Sequence, residues 1–234
     1  MCYFFALLAG IILATGCGND SETKMRLSGE VTGLRKGHLW LQKLNDTVFE
    51  SVDSMVVDGN SNFVFTETIT EPQVYYLTMS FQDSSNVIKR LPFFAEAGEL
   101  TLETTLENFA SDMKVSGSMN QQKWDDYKKL MKRYGDQNLE LIELELNALK
   151  EGNDSMVGVI KKQQDRLLKN TYLASVNFAK NNNDFEIAPY LMLTEVFDLN
   201  LRFLDTVHAS LTPKIKDSKY GKELESFIQS RRQD

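Results

Sequence analysis

Cysteine and histidine are the scarcest chemistry-bearing residues of this 234-residue chain, with two of each. Cys2 and Cys17 both lie near the N-terminus, so residues 18–234 hold no thiol. That body can form no disulfide, carries no Cys-x-x-Cys redox pair and must draw its stability from packing. His38 and His208 stand far apart without a second histidine or cysteine nearby, which argues against a zinc clamp. With 4 prolines and 13 glycines the sequence is neither collagenous nor of the proline-rich disordered kind. Cationic charge is also short: 26 Lys and Arg against 33 Asp and Glu leave a net charge of −7. No dense basic cluster interleaves with aromatics, so the electrostatic footprint of a nucleic-acid binder is missing. The apolar run at residues 3–13 would extend only about 16 Å as a helix, against roughly 30 Å of bilayer hydrocarbon. It is too short to span. No segment repeats at a fixed period, which argues against a solenoid.

What is present begins with that same run. Behind it stand Ala14, Thr15, Gly16 and then Cys17, small residues directly before a cysteine. The arrangement resembles the bacterial lipoprotein signal. The resemblance implies that Cys17 is alkylated by a diacylglyceryl group, that residues 1–16 are removed as a signal peptide, and that the new amino terminus is acylated. Several acyl chains anchor stably where one holds weakly, because each buried methylene contributes about 0.8 kcal/mol. Cys2 would leave with the signal and Cys17 would become a thioether. Residues 17–24 then form a polar tether, in which Asp20 and Glu22 are similar to the acidic export signal of some Gram-negative surface lipoproteins. The expected home is the outer membrane, at its periplasmic face or the cell surface. No Lys or Arg precedes Lys24, so a start codon upstream of Met1 is expected to supply the basic n-region.

Two grammars follow. Over residues 25–117, short alternating apolar stretches sit between turn residues, predicting strands at 26–31, 38–44, 48–56, 62–68, 74–81, 86–95 and 100–104. A short last strand is expected at 113–116. Residues 33–37, Asn45-Asp46, residues 58–61 and residues 97–99 supply hairpin-turn chemistry, and Pro72 sits where a strand begins. Connections this short cannot make parallel crossovers, so an antiparallel β-sandwich or partly open barrel is expected.

At Ser118 the period changes to that of a helix, and residues 118–234 read as a helical domain, giving an α+β chain. Ser118 and Gln121 form a capping-box pattern ahead of Trp124, Tyr127, Met131 and Tyr134. A second stripe, Leu139, Ile142, Leu146 and Leu149, is shifted by one residue across Gly135-Asp136, predicting a bend or local break there. Gly152-Asn153 ends this helix and starts the next, carried by Ile160, Gln164, Leu167, Thr171, Ala174 and Phe178, and the two should pair as an antiparallel hairpin. Asn183 with Glu186 offers a further cap, residues 200–211 another helix, Thr212-Pro213 a short turn, and residues 219–232 a final amphipathic helix.

Few constellations suggest chemistry. Glu140, Glu143 and Glu145 interleave with leucines as a solvated helix face would. Gly117, Gly135, Gly152 and Gly158 make no phosphate-cradling loop, and Asp125-Asp126 before Lys128-Lys129 suits i,i+3 and i,i+4 pairing on a helix surface. Trp40, Tyr75, Tyr76, Phe81, Phe93 and Phe94 fall in strands, where some fill the core and an outward subset could dock the helical half, a glycan or an apolar ligand. Asp53 and Glu71 are the carboxylates that a folded hydrolase site could recruit.

Residues 27–31 (Leu-Ser-Gly-Glu-Val), 52–54 (Val-Asp-Ser), Asp58-Gly59, 63–65 (Phe-Val-Phe) and 71–77 (Glu-Pro-Gln-Val-Tyr-Tyr-Leu) resemble the bacterial lipoprotein module called domain of unknown function 4369. The resemblance spans about residues 24–227. It implies a β-rich N-terminal module, commonly followed by helices and a thioredoxin-like disulfide reductase domain, and residues 217–224 are similar to the segment that leads into that domain. The redox domain itself would begin about where this sequence ends, at Asp234, and no Cys-x-x-Cys is present. No catalytic residue therefore transfers, and no cofactor or metal is expected. The expected function is a non-enzymatic envelope lipoprotein that binds or scaffolds, anchored to the bilayer through acylated Cys17. The alternative is the substrate-side or accessory half of a thioredoxin-like thiol-disulfide reductase system, with a thioredoxin-like envelope protein as partner.

Overall fold

The computed structural model describes residues 23–81 and 87–233. The predicted signal peptide, Cys17, the tether up to residue 22 and the strand start expected at Asn86 lie outside them. Among the described residues eight strands come first: β1 (Lys24–Thr32), β2 (Lys36–Asn45), β3 (Val48–Asp58), β4 (Asn62–Thr68), β5 (Gln73–Phe81), β6 (Ile88–Ala95), β7 (Gly98–Thr105) and β8 (Lys114–Ser116). They make two four-stranded sheets, ordered β4-β1-β7-β8 and β3-β2-β5-β6. Alternation decides which side chains go inside: β1 buries Met25 and Leu27 and exposes Arg26 between them. Leu39, Leu41, Leu77 and Phe93 from one sheet meet Leu27, Phe63, Phe65 and Leu100 from the other, which makes the unit a sandwich rather than a closed barrel. The tight turns fall where their residues permit positive φ, at Asp46 (52°) and Gly59 (89°).

One pairing departs from the antiparallel expectation: β1 and β7 run parallel, Leu27 opposite Leu100. The bar on parallel crossovers applies to strands joined by short loops. Five strands separate β1 from β7, and the chain visits the second sheet on the way, so direction is free to be parallel when it returns.

The sheet β3-β2-β5-β6 is covered by the sandwich on its inner face and by the helices at one end of its outer face, where Val56 and Ile88 at the other end stay exposed. Tyr75, Leu77 and Phe93 point into the sandwich, whereas Val74 and Phe94, one residue out of phase, join the core of the helical half. The helices are α1 (Met119–Lys150), α2 (Asp154–Asn181), α3 (Ile187–Thr194), α4 (Leu201–Ser210), α5 (Pro213–Asp217) and α6 (Lys219–Arg231). Among the described residues no helix is long and apolar enough to cross a membrane.

Two helix expectations change. α1 runs unbroken through Gly135. The one-residue shift in its apolar stripe marks a change of face: Trp124 and Tyr127 are buried, while Leu139, Ile142, Leu146 and Leu149 are exposed. The side facing α2 continues instead through Leu141 and Ala148. Asn183 and Glu186 do not form a cap. The Asn183 side-chain amide donates to the Ser210 carbonyl (2.6 Å), and Glu186, at the N-cap position of α3, makes no capping bond. Its carboxylate accepts from Asn120 Nδ2 (2.8 Å). A buried donor from α1 thus outcompetes the local turn for that carboxylate.

Candidate functional site

The side chains singled out in the sequence are dispersed. Asp53 accepts from the backbone N–H of Ser54 and, at 3.4 Å, from that of Thr66, whereas Glu71 accepts from Lys219 N at 2.8 Å. Each carboxylate ties down nearby backbone, Asp53 in the middle of β3 and Glu71 between β4 and β5, and they share no hydrogen-bond partner. Glu140 and Glu143 are exposed; Glu145 is half-buried, accepts from Gln164 Nε2 (3.0 Å) and lies 4.0 Å from Lys161. His38 stacks on Trp40 at 5.5 Å, and His208 lies in α4 with Nε2 buried and, among the described residues, unbonded. Among the described residues no group of three or more His, Cys, Asp or Glu could hold a metal ion.

Aromatic residues do gather, at the junction of the two halves. Phe94 on β6 meets Trp124 of α1 (5.6 Å between centroids), Tyr190 of α3 (5.3 Å) and Tyr220 of α6 (6.2 Å), mostly edge to face. Tyr190 and Tyr220 stand 5.1 Å apart. Beside this cluster opens a cleft of about 510 Å³, walled by Asn45-Asp46 at the β2–β3 turn, Val74 and Tyr76 on β5, Tyr190 and Thr194 on α3, and Lys219, Tyr220 and Glu223 on α6. It is the place where outward-facing strand positions, the β2–β3 turn and two helices converge.

Hydrogen bonds hold the two halves together at this junction. Ser118 caps α1 by accepting from Gln121 N (2.9 Å) and also donates to Glu96 Oε1 (2.7 Å). Gln121 Oε1 accepts from Phe94 N at 2.9 Å, which fixes the start of α1 on β6. At the other end Tyr220 OH accepts from Val74 N (2.9 Å), and Lys219 Nζ reaches Gln73 Oε1 (3.4 Å).

The electrostatics follow from burial. Loss of water pushes the Tyr190 and Tyr220 phenols far above their usual value and raises Tyr76 as well, so all three are neutral donors at any physiological pH. Burial also raises the Glu223 carboxyl, with Lys219 opposing and Glu71 and Asp46 reinforcing. The cleft therefore offers aromatic edges, phenolic hydroxyls, one ammonium and flanking carboxylates. Such a set of groups can hold an amphiphilic molecule through apolar contact and hydrogen bonding.

Tyr190 and Tyr220 read in the sequence as members of an apolar helical segment and an amphipathic helix. Only the fold shows that they share a wall with Tyr76, because nothing in the spacing of positions 76, 190 and 220 connects them. No curated protein matches the chain. The match that is found covers the β half and the first turns of α1, ending at Trp124: residues 25–124 match the family described as Domain of unknown function (DUF4369).

Proposed function

We propose that this chain is an envelope lipoprotein without catalytic activity, tethered by acyl chains on Cys17 to the outer membrane, whose folded body binds or scaffolds another envelope component. The observation that carries the binding role is the junction cleft, in which Tyr76, Tyr190 and Tyr220 border one open cleft beside Lys219 and Glu223. The run up to Cys17, with its resemblance to the bacterial lipoprotein signal, supports the anchor.

Two measurements test the proposal. Mass spectrometry of the mature N-terminus should find Cys17 carrying acyl chains; an unprocessed start or an unmodified thiol overturns the anchor. A photo-crosslinking amino acid placed at Tyr190 in living cells should give discrete adducts that the same probe at exposed Val64 does not. Absence of any Tyr190-specific adduct overturns the binding role. The resemblance of residues 217–224 to the approach of a thioredoxin-like domain favours a second reading, an accessory to thiol-disulfide exchange. An adduct containing a Cys-x-x-Cys protein selects that reading.

A further inference from the structure

The far half of the α1–α2 hairpin leaves the body as an arm. Beyond Tyr134 on α1 and before Thr171 on α2, only Ala148, Val157 and Ile160 are buried. Sixteen residues at 1.5 Å rise make that arm about 24 Å long. Along it Leu139 and Leu146, exposed by 65% and 53%, alternate with Ile142 and Leu149 at the spacing of heptad a and d positions. At 100° per residue this seam lies roughly a third of a turn round α1 from the side that meets α2. The shallow groove that brings Gly135 together with Leu168 shows that exposed Leu168 of α2 borders the same face of the hairpin.

The charges on that arm are divided. Over residues 135–150, α1 carries Asp136, Glu140, Glu143 and Glu145 against Lys150 at the tip, with Asp136 also paired to Lys132 one turn back (2.7 Å); over 154–170, α2 carries Lys161, Lys162, Arg166 and Lys169 against Asp154 and Asp165. The contacts of Glu145 with Lys161 and Gln164 fix the heights of the two helices. On that register Asp136 stands level with Lys169, and Glu143 with Lys162.

We infer that the seam is the interface for a second copy of this chain, the two arms lying side by side and pointing the same way as a four-helix bundle. A two-fold axis along the arms places α1 of each copy on α2 of the other, the α1 seam against the side of α2 that carries Leu168, with Asp136 on the flank of that contact at the height of the other copy's Lys169 and Glu143 at that of its Lys162. Reversing one arm instead lays α1 on α1, acid against acid. The acidic face of α1 is equally unsuited to an anionic lipid surface. Charge therefore selects both the partner and the direction.

The test is the protein mass of the full-length chain in mild detergent, by light scattering at about 100 µM, with circular dichroism to confirm folding. The wild type should have twice the monomer mass. Leu139→Glu with Leu146→Glu, both at exposed positions, should raise the dimer Kd at least tenfold, a change of about 1.4 kcal/mol. Asp136→Lys with Glu143→Lys should do the same, and adding Lys162→Glu and Lys169→Glu should restore the dimer. A monomeric wild type, a dimer indifferent to the α1 charge reversal, or a failure of the compensating pair to restore association overturns the inference.

Discussion

The hydroxyl of Tyr220, in the first turn of the last helix, accepts the backbone N–H of Val74, the second residue of β5, at 2.9 Å. The two residues lie 146 positions apart, and the bond is buried. Val74 faces away from the sandwich, so its N–H lies at the end of the sheet whose outer side the helices cover. Replacing Tyr220 with Phe keeps the ring against Tyr190 and Phe94 and removes only the acceptor. A buried donor without a partner costs about 1–3 kcal/mol. The Tyr220→Phe variant should lose that much in urea unfolding with an unchanged m-value, and Tyr220→Ala should lose more because a cavity is added.

At the opposite end of the same interface, Ser118 accepts from Gln121 N and donates to Glu96, whose Oε1 also accepts from Asn120 N at 2.6 Å. A carboxylate is thus held at the positive end of α1, where the helix dipole favours it. Ser118→Ala removes the cap and one partner of Glu96, so a destabilisation of about 1–2 kcal/mol is expected. Ser118→Asp should recover the cap but place a second carboxylate against Glu96. Its melting temperature should therefore stay below that of the wild type and rise as salt screens the pair.

Glu186 supplies a pH test. Burial raises its carboxyl above the ordinary 4.5, while the bond from Asn120 and the charge of Lys214 pull the other way. A carboxyl whose folded pKa is raised favours folding below its unfolded pKa, and that contribution is lost as pH rises through the folded pKa, because the ionised form is the costly one. Glu186→Gln keeps an acceptor for Asn120 and removes the charge. The variant should be more stable than wild type at pH 7, and the gain should vanish below about pH 4.5, as denaturant midpoints at pH 7 and pH 4 will show. A gain of equal size at both pH values would assign the effect to packing.

Strand positions were legible because sheets with one face to the core alternate with period two: β4 falls at 62–68 as expected, and the other strands begin and end within a few residues of their expected bounds. Ser118 and Asn200 were legible as helix starts for a local reason, since each caps its own helix with its own side chain. The parallel β1–β7 pair was not, because it depends on where a distant strand returns. The cap expected from Asn183 and Glu186 failed for the same reason: Ser210 and Asn120, remote in sequence, take those side chains. The junction cleft is the extreme case. Tyr76, Tyr190 and Tyr220 come from three elements that only tertiary packing brings together, and of these only Tyr76 falls within the residues that match the family.

Glycine provides the sharpest contrast between what sequence suggests and what packing imposes. Gly135 looks like a helix breaker, yet it sits inside continuous α1 with open space where a side chain would go. Gly29 looks like an ordinary strand residue of β1, yet a Cβ there would overlap the Leu102 carbonyl oxygen and come within 2.7 Å of the Phe63 ring. β1 runs between β4 and β7, with Gly29 opposite Phe63 on one side and Leu102 on the other, so neither neighbour can withdraw without opening the ladder. Gly135→Ala should therefore raise stability by about 0.5–1 kcal/mol, since alanine loses less backbone freedom in a helix. Gly29→Ala should lower it by about 1–3 kcal/mol through overpacking. Urea midpoints of the two variants, moving in opposite directions from wild type, check both. A loss of stability in Gly135→Ala would show that the helix backbone at position 135 departs from the conformation alanine favours.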